Sequence, residues 1–275
     1  MTSPSHKEGA RNREPVKYNG ASSSNQSQNA TIKSMIILTV GNPKLKKNLV
    51  SLGYINAGLS LLPAKLVNNY TDELSGVNLC PWSTEGCRIN CCNKTGRGKY
   101  KQSQMARARR TIMYKTEPDR FFALLEEDLL TLQAQAVKRE VKAACRLNIY
   151  SDVSWENHGI IQKYPSIQFY DYTKSIRRAM SKDMPSNYHL TFSRSEDNVI
   201  DCWRALSEGV NVAVVFKNTL PSSWMGVKVV NGMNHDLIFL HESPRIIGLK
   251  KLHASGGGSS NFFVDHERAM AELTV

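Results

Sequence analysis

The sequence predicts an α/β protein built as a partial (β/α) barrel, on three observations. From about residue 145 onward, short apolar or alternating runs are separated by polar, helix-compatible stretches, as repeated β/α units with parallel strands require. Almost every run ends in polar, chemically capable side chains, and α/β folds gather their ligands at the carboxyl ends of the strands. The chain has 275 residues, 41% of them hydrophobic, which suits one α/β barrel of ~250 residues. A closed barrel and a doubly wound sheet are the neighbouring solutions, and the polar run ends favour the barrel side.

Residues 1–34 are Ser, Asn, Gln, Gly and charge with almost no aliphatic side chains, and predict a disordered arm that cannot bury enough surface to offset chain entropy. A single barrel-like domain is expected over 35–275. It opens with the apolar run 35–40, a candidate strand, and with 59–67, a candidate short helix interrupted by Pro63. A short run ending at Leu79 leads into a cysteine-bearing loop at 79–92. Helical sequence follows in two parts, a basic one from about Lys101 to Tyr114 and a second that starts at Thr116-Glu117-Pro118-Asp119. There proline suits the first turn and the acids suit the positive end of the helix dipole. Phe121, Leu125, Leu129, Leu132 and Ala136 recur at three and four residues, so this helix buries one face and is expected to run to about Ala143.

The runs 145–150, 167–172, 188–192, 210–216, 227–230, 237–240 and 246–249 then read as strands, with crossover helices at 157–164, 174–182 and 198–208. Asn148, Ser151 and Asp152 sit at the end of the first run, Tyr170 and Asp171 close the second, Ser193 and Arg194 follow the third, and Lys250 follows the last. These eight are the expected cofactor- or substrate-binding residues. Near the C-terminus, Gly256-Gly257-Gly258 reads as a flexible loop and Asp265-His266-Glu267 as an exposed polar helix start.

Thirty-six Lys plus Arg against 24 Asp plus Glu give a net charge of +12, which favours a polyanionic partner or an anionic substrate. No apolar run approaches the ~18 residues of a membrane span. The first residues lack a basic segment followed by an apolar one, so a reducing cytoplasm is the expected compartment, and six cysteines there are not expected to form disulfides.

Four of those cysteines, Cys80, Cys87, Cys91 and Cys92, fall within one short loop. Such clustering points to a metal, because thiolates are soft ligands for zinc or iron–sulfur clusters. A structural zinc site usually takes paired Cys-x-x-Cys or histidine spacings, and no second pair follows here. Cys91 and Cys92 are adjacent and are expected to diverge. The remaining set, Cys80, Cys87 and Cys91, would hold three irons of a four-iron, four-sulfur cluster and leave the fourth open to substrate or S-adenosylmethionine. Zinc is the alternative.

The motif Leu79-Cys80-Pro81, Gly86-Cys87 and Cys91, followed by Thr95-Gly96-Arg97-Gly98, Ala106-Arg107 and Arg110-Thr111, resembles the phage and plasmid family known as gene product eighty-eight. So do Leu147-Asn148 with Ser151-Asp152, the stretch Gln168 to Lys174, the stretch Tyr188 to Ser195, and Ile247 to Lys250. The resemblance covers about residues 45–268 and implies a phage or other mobile element, hence a host cytoplasm, but brings no function. More distantly, the order of a strand, a cysteine loop, a helical region and β/α units is similar to radical S-adenosylmethionine enzymes, and implies their partial barrel and open cluster. Those enzymes usually have Cys-x3-Cys-x-x-Cys, whereas the spacing here is x6 and x3.

From Arg88 to Lys115 the chain carries nine basic residues and no acid. Arg97, Lys99, Lys101, Arg107, Arg109 and Arg110 are the candidate nucleic-acid contacts, with Tyr100 and Tyr114 placed to stack on bases. A solvated helix face with Arg107 and Arg110 paired to carboxylates is the plainer reading. No phosphate loop, dinucleotide fingerprint, nucleophile elbow or zinc-protease motif occurs. Two functions follow as expectations. One is an iron–sulfur protein acting on a nucleotide or nucleic acid; the other is a non-catalytic nucleic-acid-binding or regulatory protein with a structural zinc or cluster.

Overall fold

A computed structural model of the chain describes residues 37–39, 52–252 and 261–265. The expected arm at 1–34, the glycine-rich stretch at 256–258, and His266 and Glu267 lie outside the described residues.

The strands are β1 (Leu38–Thr39), β2 (Tyr54–Leu59), β3 (Lys142–Arg146), β4 (Ile167–Thr173), β5 (Tyr188–Ser193), β6 (Val212–Phe216), β7 (Ser223–Trp224), β8 (Val227–Asn231) and β9 (Ile246–Lys250). They form one nine-stranded sheet in the order β1-β2-β3-β4-β5-β6-β9-β8-β7. All neighbours from β2 to β8 pair in parallel, while β1 and β7 join the two ends antiparallel. From β2 to β6 strand order follows chain order in one direction, with no switch point of the doubly wound kind, and beyond β6 it reverses, β9 lying between β6 and β8. This one-directional winding is shared with α/β barrels, but the sheet stays open, ending in β1 and β7.

Right-handed crossovers in a sheet wound one way put the helices on one face. The helices are α1 (Glu85–Ile89), α2 (Lys101–Thr116), α3 (Pro118–Lys138), α4 (Ile160–Lys163), α5 (Ile176–Ala179) and α6 (Val199–Ser207). Phe121, Leu125, Leu129, Leu132 and Ala136 of α3 are all buried, against Ile55, Ala57, Cys145, Ile167 and Phe169. Cys202, Ala205 and Leu206 of α6 do the same against Phe192, Val212, Val214 and Ile246. Each fully buried aliphatic side chain of this kind contributes about 1.5–3 kcal/mol. Helix α3 ends at Lys138, short of Ala143, because Glu140 turns the chain at φ 55 and Lys142 is already pairing with Tyr54.

Three segments depart from the pattern of apolar runs. Strand β2 carries the polar Asn56 in its middle, buried because its amide donates to the Tyr170 hydroxyl at 2.6 Å. The run 237–240 is not a strand. Leu237 and Ile238 fill the sheet's opposite face against Ala144, Tyr170, Ala213 and Ile247, and Asp236 beside them takes bonds from Arg146 (3.1 Å) and Tyr170 (3.0 Å). Nor is there a strand before Leu79; the chain from Leu66 to Asn69 makes a 3-10 turn, and Leu79 leads straight into the cysteines. Among the described residues no helix is long and apolar enough to cross a membrane.

Candidate functional site

The cysteine loop lies across the carboxyl ends of three parallel strands, and each end holds it by a different contact. After β3, the Asp152 amide donates to the Leu79 carbonyl at 2.8 Å, and the Cys80 thiol reaches the Tyr150 carbonyl at 3.3 Å while its sulfur accepts from the Ala64 amide at 3.2 Å. After β4, Arg178 sits under the Trp82 ring at 5.5 Å and is fixed by Asp152 and Glu156, both at 2.6 Å. After β5, the Glu196 carboxylate accepts from the Gly86 amide at 2.7 Å and from the Thr84 hydroxyl at 2.8 Å. Thr84 in turn caps α1 by accepting from the Cys87 amide at 3.2 Å. A Cβ on Gly86 would stand 2.7 Å from the Glu196 carboxylate, so a larger residue there would push that side chain off the helix end.

Docking brings the four loop thiols within electrostatic reach of one another. Cys80, Cys87 and Cys91 are half-buried, Cys92 is exposed, and none is in a disulfide. Burial pushes the Cys80 thiol up to about 12, with Cys87 adding to it. Burial also raises Cys87, while the Lys174 ammonium draws it down. Cys91 is raised by its hydrogen bond with Cys92 and by burial. That contact corrects the expectation that the two adjacent side chains diverge. Thiols raised in this way are protonated and poor nucleophiles on their own, and a metal must displace their protons to use them. Cys145 and Cys202 stand apart in the apolar layers of β3 and α6.

The set suits a metal by donor chemistry, four clustered soft ligands, and not by preformed coordination. Among the described residues, no three Cys, His, Asp or Glu side chains already stand in the arrangement of a metal site.

Arg107 belongs to this cluster and not to the surface. It is 4% exposed, hydrogen-bonded to the Gly98 carbonyl, stacked over the Tyr150 ring at 4.9 Å and within the field of Cys91 and Cys92. Its Nε has no partner, and among the described residues it pairs with no carboxylate, unlike the plainer expectation for it. Arg110 is half-buried, with burial lowering its guanidinium and Asp128 nearby. Tyr114 is buried among Phe121, Phe122, Trp155 and His158 and offers no face to a base. Arg97, Lys99, Lys101 and Arg109 are exposed.

The residues expected to bind substrate divide. Asn148 is a buried hub. Its Oδ1 accepts from the Ser151 hydroxyl, the Val153 amide and the Trp155 indole at 2.8, 2.9 and 3.1 Å, and its Nδ2 donates to Val153 and Asp171. Asp171 is closed off by the Asn148 amide and the Tyr188 hydroxyl at 2.7 and 2.9 Å. Pleating sends Tyr170 to the other face of the sheet, away from Asp171. Arg194 grips the Asn261 and Phe262 carbonyls at 2.6 and 2.7 Å, and Lys250 is exposed at the end of β9, remote from the strands that hold the loop.

Of the eight, Asp152 and Ser193 connect to the thiols through charge. Asp152 lies within the field of Cys80 and Cys87, and Ser193 holds Lys174 through its hydroxyl at 2.7 Å. The reading by run ends missed Lys174, Arg178 and Glu196, which lie one to five residues beyond their strands.

A thiol-bearing loop clamped on the carboxyl edge of an open, mostly parallel α/β sheet defines the class of this protein. The family model of gene product 88 matches residues 36–266, and the chain belongs to that family. No curated protein and no solved structure matches it, so the likeness to radical S-adenosylmethionine enzymes finds no support from a relative.

Proposed function

We propose that the chain is a metal–thiolate protein whose centre, an iron–sulfur cluster on Cys80, Cys87 and Cys91, works on a nucleotide or nucleic acid at the carboxyl edge of the sheet. One observation carries this reading. A single loop that carries four thiols is anchored from three separate strands, at the edge where α/β folds bind ligands.

A bound cluster with one iron left open would supply redox chemistry or a site for S-adenosylmethionine or substrate. The chain's own groups would do the rest. Glu196 holds the cysteine helix in place, Arg178 and Asp152 fix the loop from below, and the ammonium of Lys174, tethered to Ser193, offers positive charge beside Cys87. An anionic substrate is the kind this cation would orient.

A second reading has its own support. The contact between Cys91 and Cys92 makes a four-thiol set available, which suits a structural zinc in a non-catalytic nucleic-acid-binding protein. Single Cys→Ser variants separate the two. With a three-thiol cluster, changes at Cys80, Cys87 or Cys91 abolish metal loading and Cys92→Ser retains it; with a four-thiol zinc site all four lose it. Full loading in all four variants would overturn both readings.

A further inference from the structure

The basic stretch after the cysteine loop is left without counter-charge. Between Arg88 and Lys115 there are nine cations and no acid. Among the described residues, no carboxylate pairs with Arg88, Lys94, Arg97, Lys99, Lys101, Arg109 or Lys115.

This charge is presented on a fixed frame. The Gly98 carbonyl accepts from Gln104 at 2.9 Å and from Arg107, and the Gly98 amide returns to Thr95 at 2.9 Å. A Cβ on Gly98 would come within 2.9 Å of the Asn93 carbonyl, so the turn packs as tightly as glycine allows. At the end of this turn Tyr100 starts α2, its carbonyl accepting from the Gln104 amide, with its side chain 54% exposed. Lys101, Met105 and Arg109 follow at four-residue steps along one stripe of α2, all three exposed, Met105 at 39%.

Cations alone would suit any phosphate backbone. An aromatic ring and a thioether held out in water between them suit a ligand that also has open base faces, and a duplex keeps those faces stacked inside. We propose that the face formed by Arg97, Lys99, Tyr100, Lys101, Met105 and Arg109 binds single-stranded nucleic acid, with Tyr100 stacking on a base and the cations meeting phosphates. This deepens the reading above by naming the polymer, and it rests on that reading only in placing the strand beside the thiol loop; its physical basis is charge and exposure, not the metal.

The test is fluorescence anisotropy with a short labelled single strand, DNA and RNA, against the same sequence as a duplex, over a range of salt. The single strand is expected to bind more tightly, and binding to weaken as salt rises. Tyr100→Ala is expected to cost about tenfold in affinity with the salt slope unchanged. Lys101→Ala and Arg109→Ala are each expected to lower the slope by about 0.7. All three side chains are exposed, so circular dichroism should show an unchanged fold.

Equal or tighter binding of the duplex, with no effect of Tyr100→Ala, would overturn the proposal, as would no binding at low salt. Metal content measured on the same protein keeps the two readings apart. Strand binding without metal supports this face and contradicts the metal centre; metal without strand binding does the reverse.

Discussion

The Gly86 amide donates to the Glu196 carboxylate at 2.7 Å, which fastens the cysteine helix to the end of β5 across 110 positions of sequence. The same carboxylate takes the Thr84 hydroxyl, so one acid holds both the cap and the first turn of α1. Its ionised form is favoured by these donors and by Lys174, although burial works against it.

Removing that acid should loosen the loop without unfolding the protein. Glu196→Ala is expected to cost about 1–2 kcal/mol, allowing for solvent at a part-exposed carboxylate. Gly86→Ala should do similar damage by forcing a methyl against the carboxylate. Urea unfolding gives the cost, and alkylation of Cys87 should speed up in both variants; unchanged alkylation would mean that the loop is held by other contacts.

Arg107 and Arg109 should part company. Arg107→Ala removes a buried guanidinium that packs on Tyr150 and binds Gly98, and should cost about 2–4 kcal/mol. Arg109→Ala should change stability by less than about 0.5 kcal/mol. Thermal unfolding of the two variants side by side decides; equal effects would contradict the burial of Arg107.

Asn148→Ala should unfold or severely weaken the protein, by about 3 kcal/mol or more, because the Ser151 hydroxyl, the Val153 amide and the Trp155 indole would lose the oxygen they share and Asp171 one of its donors. A stable variant with altered ligand binding would instead return Asn148 to the substrate site.

Asp171 gives a pH dependence with a definite sign. Burial raises its carboxyl to about 7, although Arg146, the Asn148 amide and the Tyr188 hydroxyl pull it down. Between about pH 4, where an unfolded aspartate titrates, and pH 7, the native state binds the extra proton, so this group's contribution to stability falls as pH rises. Asp171→Asn should therefore gain stability relative to the parent between pH 5 and pH 8. Denaturant midpoints of both proteins at the two pH values test it, and a parent that holds or gains stability relative to Asp171→Asn toward pH 8 would contradict the raised carboxyl.

Much of the fold was legible in the sequence because burial leaves a period. The five apolar positions of α3 mark its packed face, and β4, β5 and β9 fall on the apolar runs with an error of about one residue. Asn56 hid β2, since a polar residue in a strand's centre breaks the pattern unless its partner, Tyr170, is known. Leu237 and Ile238 mimicked a strand because any segment that covers a sheet face is as apolar as the sheet. Composition also could not tell which cations face water. Arg107 and Arg109 are two positions apart on α2 and differ only in the side of the helix they occupy. The cysteines were legible as a group, but their anchors, Glu196 and Arg178, come from residues that no local motif links to them.

The proposed chemistry stands or falls on whether the loop thiols hold a metal. Iron, acid-labile sulfide and zinc measured on anaerobically purified full-length protein, beside a Cys80→Ser, Cys87→Ser, Cys91→Ser triple variant, test it most directly. About four irons and four sulfides per chain are expected, with the broad visible absorption of a cluster, all lost in the triple variant. A parent protein that carries neither iron nor zinc, or a triple variant that keeps its full complement, would contradict it.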